Sequence, residues 1–137
     1  MDQKLKILEI LAKLAMANDE FKSARLACAI MKRNKIISFG VNKNKTHPLM
    51  VKYGKNESAI YLHAEISAIK NALAEISIDD LRGSDLYVCR VKRPEPHSDK
   101  WEWGLALPCS GCARAIVDFG IKNVIYSTNT TGKYEVI

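Results

Sequence analysis

The chain has 137 residues, 47% hydrophobic and 26% charged, with a formal net charge of +6. That length suits a single domain over residues 1–137 and is too short for two separate cores. No run approaches the roughly 18 consecutive apolar residues that span a bilayer, and the start MDQKLKILEIL lacks a secretory cleavage site, so a membrane partner is excluded and a cytoplasmic location is expected.

Residues 3–17 place Leu5, Leu8, Leu11, Leu14 and Ala15 at helical spacing, with Lys4, Lys6 and Lys13 off that stripe, which predicts an amphipathic helix. The apolar run from Arg25 to Met31, a charged turn at 32–35 and the β-branched run KIISFGVN predict an antiparallel hairpin. Residues 42–58 are polar, contain Pro48 and Gly54, and carry Lys43, Lys45, Lys52 and Lys55, so they are expected to form a loop. Ile66, Ile69, Ala72 and Leu73 predict a second helix over about 62–74, followed by a turn at 79–84 and the strand DLYVCRV.

The stretch 93–106 breaks the pattern with two prolines, His97, Trp101 and Trp103. CARAIVDFG then predicts a helix ended by Gly120, KNVIYST a strand, and TGKYEVI a short last strand. This order predicts an α/β fold, a three-layer α/β/α sandwich whose mixed central sheet has four to five strands and whose later strands run parallel through crossover helices.

Four cysteines are present, and Cys109 and Cys112 form a close pair of the kind that, in a reducing compartment, binds metal or does redox chemistry. Cys28 and Cys89 sit among apolar strand residues and are expected to be small buried side chains. Two motifs stand out, His63-Ala64-Glu65 and Pro108-Cys109-Ser110-Gly111-Cys112, each opening a predicted helix. Helix N-termini favour anions and lower the cost of a thiolate. One imidazole and two thiolates make a three-ligand zinc site whose fourth position stays open, the catalytic pattern rather than the closed structural one. Zinc lowers the pKa of the water it holds to about 7, and Glu65, two residues after His63, is the carboxylate placed to move protons.

His-x-Glu with Pro-Cys-x-x-Cys is the mark of the zinc base deaminases. From about Leu26 to Thr128 the sequence resembles the cytidine and deoxycytidylate deaminase superfamily, and its histidine ligand resembles the deoxycytidylate and tRNA-adenosine branches. The resemblance implies a Zn2+ cofactor on His63, Cys109 and Cys112, with Glu65 as the catalytic proton shuttle. It further implies substrate contacts from Asn42, which follows Gly40-Val41, and from the backbones of Ala64 and Leu107. The implied reaction is hydrolytic deamination of cytosine to uracil in a free nucleotide or nucleoside, and the implied assembly is a homo-oligomer. Two features depart from the family pattern: the long 93–106 segment, and the short chain after Ser127 where a last helix is usual.

Other readings remain open at this level. The net charge and the two tryptophans allow a base within RNA or single-stranded DNA as substrate, held on a basic, aromatic surface. A zinc-stabilised module without catalysis is a third reading. Trp101 and Trp103 are either base-stacking residues or a cover for the core. His47 and His97 are either substrate contacts or solvated loop side chains, and Asn42 is either a ligand or a turn former. The lysines at 43, 45, 52 and 55 are either a phosphate site or a solvated face.

Overall fold

The computed structural model describes residues 2–21, 25–45, 47–53, 62–95 and 98–137. Helix α1 (Gln3–Met16) begins where the Asp2 carboxylate accepts the N–H groups of Lys4 at 2.9 Å and Leu5 at 3.3 Å. These bonds satisfy two of the donors that a helix start leaves open. Strands β1 (Arg25–Lys32) and β2 (Lys35–Val41) form the expected antiparallel hairpin. Its turn residues Arg33 and Asn34 have φ of 55° and 62°, the left-handed conformation that matches the twist of a tight hairpin.

The stretch expected to be a loop contains a short helix, α2 (Pro48–Tyr53). Proline is preorganised for the first helical turn, and Met50 and Tyr53 are buried in the core, so tertiary burial fixes a helix that local polarity hid. Residues 54–58 of that stretch, including Gly54 and Lys55, lie outside the described residues. Helix α3 (Ala64–Leu73) follows, then α4 (Ile78–Leu81), a single turn in place of the expected irregular one. Ser77 caps α4 by accepting the Asp80 N–H at 3.1 Å. The remaining elements are β3 (Asp85–Lys92), β4 (Glu102–Gly104), α5 (Ser110–Asp118), β5 (Asn123–Ser127) and β6 (Tyr134–Val136).

The strands form one six-stranded mixed sheet, in the order β2-β1-β3-β5-β6 with β4 paired to β3. β3 and β5 run parallel, joined through α5, and the other pairings are antiparallel. The count exceeds the expected four to five because β4 arises inside the 93–106 segment, whose prolines and polar residues mask a three-residue strand. Alternate strand residues serve two cores, as the two-residue period of a strand dictates. Ala27, Ala29, Met31, Tyr87, Cys89 and Ile125 pack under α1, while Cys28, Ile30, Leu86, Val88, Val124 and Tyr126 pack under α3 and α5. The result is a three-layer α/β/α sandwich. Among the described residues no helix is long and apolar enough to cross a membrane.

Gly40 lets α3 lie directly on β2. A Cβ built there would sit 2.3 Å from the Ala68 nitrogen and 2.7 Å from the Ala64 carbonyl oxygen, both backbone atoms that cannot swing aside. Gly40→Ala is therefore expected to lower unfolding stability by about 1–3 kcal/mol or more, read from denaturant midpoints. A midpoint equal to wild type would show that α3 moves away at no cost.

Candidate metal and catalytic site

Two helix starts meet at the site. His63 is the N-cap of α3 and Cys109 the N-cap of α5; both have extended backbone, and neither side chain makes a capping hydrogen bond. Cys112 lies in the first turn of α5, three residues after Cys109, so the two thiols share a helix face. The His63 Nδ1 lies 3.7 Å from the Cys109 Sγ and 3.4 Å from the Cys112 Sγ, and all three donor atoms fall within 4.8 Å of one another. A tetrahedral zinc with Zn–N about 2.0 Å and Zn–S about 2.3 Å places nitrogen and sulfur roughly 3.5 Å apart. The donor set and its spacing fit that ion.

The thiols respond strongly to each other. A hydrogen bond from Cys112, joined by the His63 ring, pulls the Cys109 thiol down to about 3, while the same contact and burial push Cys112 up. The contact with Cys109 also raises His63, against the effect of burial. Two thiols sharing one proton are suited to a dication, which deprotonates coordinating thiols outright.

Glu65, in the first turn of α3, is only 4% exposed, and burial raises its carboxyl above the usual range while its own backbone N–H and His63 oppose the rise. A cavity of about 330 Å³ is lined by Asn42, His63, Ala64, Glu65, Leu107 and Cys109, so these expected site residues converge on one space while Cys112 lies buried behind it. Asn42 arrives because the chain after β2 pairs with the chain before α3: Lys43 and Leu62 exchange backbone hydrogen bonds of 2.9 and 3.1 Å. The Asn42 Oδ1 accepts the Leu26 N–H at 3.0 Å and the Asn18 amide at 3.3 Å, so this side chain shapes the turn as well as lining the cavity.

The backbone leading to Leu107 is held by Ser127, which is fully buried. Its hydroxyl accepts the Arg90 N–H at 3.0 Å and donates to the Gly104 carbonyl at 2.8 Å, and its carbonyl accepts the Ala106 N–H at 3.0 Å. Ser127→Ala orphans one buried donor and one acceptor, and is expected to cost about 1–3 kcal/mol in chemical denaturation. An unchanged midpoint would mean that water replaces the hydroxyl.

Other expected residues lie elsewhere. Trp103 is 5% exposed in the core under α1, and Trp101 packs against that core with the Arg25 and Arg93 guanidiniums 4.6 and 4.7 Å from its ring centre. Both tryptophans are cover, on the sheet face opposite Cys112. The Nδ1 of His47 accepts the Leu49 N–H at 3.1 Å at the start of α2, away from the cavity. Lys43, Lys45 and Lys52 do not line the cavity either, and His97 and Lys55 lie outside the described residues. Cys28 and Cys89 are fully buried, as their strand positions predict. Sequence reasoning missed Phe21, Leu26 and Arg90, all of which line the cavity. For Arg90 the signal is a charge at an inward position of a strand whose neighbours at that register, Leu86 and Val88, are aliphatic.

The family profile for the cytidine and deoxycytidylate deaminase zinc-binding region matches residues 1–128. The chain belongs to that family. Membership supports hydrolytic deaminase chemistry and a zinc-binding role for the His-Cys-Cys cluster. The fold is similar to the apo dCMP deaminase of cyanophage S-TIM5, at 23% identity and a TM-score of 0.54 over 96% of this chain and 89% of that one. It is similar also to the same enzyme in complex with dCMP and dUMP, at 22% identity and a TM-score of 0.52 over 92% of this chain and 82% of that one. No curated protein matches the sequence.

Proposed function

We propose that this deaminase removes the exocyclic amine of cytosine in a free nucleotide or nucleoside, releasing ammonia and leaving uracil. The observation that carries the reading is the convergence of His63, Cys109 and Glu65 on one cavity, with Cys112 at ligand distance behind it. His63, Cys109 and Cys112 hold the metal. Zinc bound there supplies a Lewis acid that makes water acidic near pH 7.

Glu65 takes a proton from the attacking water and passes it to the ring nitrogen beside the amine-bearing carbon. It carries the second proton to the amine as the carbon–nitrogen bond breaks and ammonia leaves. Its burial suits a group that must hold a proton between those transfers. The Ala64 and Leu107 backbones hydrogen-bond the base, and Asn42 contacts the nucleoside. All three line the cavity, which supports these roles.

The test is ammonia release by the zinc-loaded protein from dCMP, dCTP, cytidine, deoxycytidine, cytosine, adenosine and a cytosine-containing oligonucleotide. Turnover of a free cytosine compound is expected. Turnover of the oligonucleotide alone, with steep salt dependence, would replace this reading with nucleic-acid editing. Zinc binding without any turnover would favour a non-catalytic module.

A further inference from the structure

Deamination chemistry does not use every group in the cavity. Arg90 lines it beside Leu26 and Phe21, at the inward register of β3 that Leu86 and Val88 occupy in the core under α3 and α5. An aliphatic residue is the default there, because Arg90, half-buried at that register, loses part of the hydration of its guanidinium. Its Nε is buried and has no hydrogen-bond partner among the described residues. Nor does any described carboxylate lie within ion-pair distance of it; the ion pair found among the described residues is Arg82 with Asp79, exposed at α4.

The fold holds this cation in place. Arg90 pairs with Gly104 of β4, and a Cβ at Gly104 would come 3.0 Å from the Arg90 Cδ and 3.3 Å from its Nε, so the side chain lies flat on the glycine. The Ser127 hydroxyl ties the Arg90 backbone to that of Gly104. The segment that departs from the family pattern thus builds a platform for a guanidinium at the cavity wall. A guanidinium presents a planar fork of donors that matches phosphate oxygens bidentately. A phosphorylated ligand would supply the counter-charge that the described residues do not.

We propose that Arg90, laid on Gly104, is a specificity-determining residue that binds the phosphate of a pyrimidine nucleoside monophosphate in this cavity. The inference rests on reading the cavity as a cytosine site. It makes the phosphorylated compound the preferred ligand over the free nucleoside.

The experiment is calorimetric titration of zinc-loaded Glu65→Gln protein, in which turnover is blocked, with dCMP and with deoxycytidine. The titrations are repeated with Arg90→Gln, Arg90→Lys and Gly104→Ala added. With Arg90 present, dCMP is expected to bind roughly 10- to 100-fold more tightly than deoxycytidine. The ratio should fall to within about threefold in Arg90→Gln, recover in part in Arg90→Lys, and drop in Gly104→Ala. Equal affinity for the two ligands, binding of neither, or an equal loss for both in Arg90→Gln would overturn the proposal. An unchanged ratio in Gly104→Ala would overturn the platform. Ammonia release by the zinc-loaded protein that retains Glu65 separates the two readings: Arg90-dependent binding without ammonia sinks the deamination reading alone, and equally rapid deamination of both compounds at equal affinity sinks the phosphate reading alone.

Discussion

Replacing Glu65 with glutamine is expected to lower deamination by at least about 10²–10⁴-fold while metal content and fold are kept. The carboxyl is 4% exposed, and glutamine has nearly the same shape, so the surrounding packing has no cavity to absorb. In the proposed mechanism, what is lost is the group that moves both protons, since the amide cannot accept and return one. The comparison needs three readings on the same preparation: ammonia release, zinc per chain and unfolding midpoint. Turnover within tenfold of wild type at full zinc loading would remove Glu65 from the chemistry. Lost zinc would instead assign it to holding the metal.

The second large effect concerns the ligands. Outer partners of metal-binding histidines are typically worth about 10- to 100-fold in metal affinity, so removing a ligand itself is expected to cost more than about 100-fold. Cys109→Ser is the cleaner variant because Cys109 is only half-buried, whereas Cys112 is fully buried within the core. Because three separated residues must be brought together to bind, metal affinity is also folding free energy. Chelation of the wild type should therefore lower the unfolding temperature and added zinc should restore it, with Cys109→Ser already at the chelated value and insensitive to chelator. Zinc content and chelator response equal to wild type in Cys109→Ser and Cys112→Ser would overturn the ligand assignment.

The site was legible because its chemistry is written in short spacings. His63 and Glu65 are two residues apart and Cys109 and Cys112 three apart, and each pair sits at a helix start whose geometry follows from local backbone rules. The helix over 3–16, the β1–β2 hairpin and the β3–α5–β5 crossover were legible for a related reason, since their apolar residues recur with the period of the element they form. Elements α2 and β4 were not. Pro48–Tyr53 is helical because Met50 and Tyr53 find a core, and Glu102–Gly104 is a strand because β3 offers it an edge; neither core nor edge is visible from within the segment.

The sequence by itself determined the family and singled out His63, Cys109 and Cys112 as the candidate donors and Glu65 as the candidate carboxylate, because these depend on residue types at fixed short distances along the chain. Tertiary structure alone decided that the tryptophans cover the α1 face, that His47 serves the start of α2, and that Lys43, Lys45 and Lys52 do not line the cavity. It alone put Arg90 on Gly104 at the cavity wall. Which face a side chain joins, and what it meets there, depends on pairing between residues far apart in sequence. A single residue's identity carries no record of that pairing.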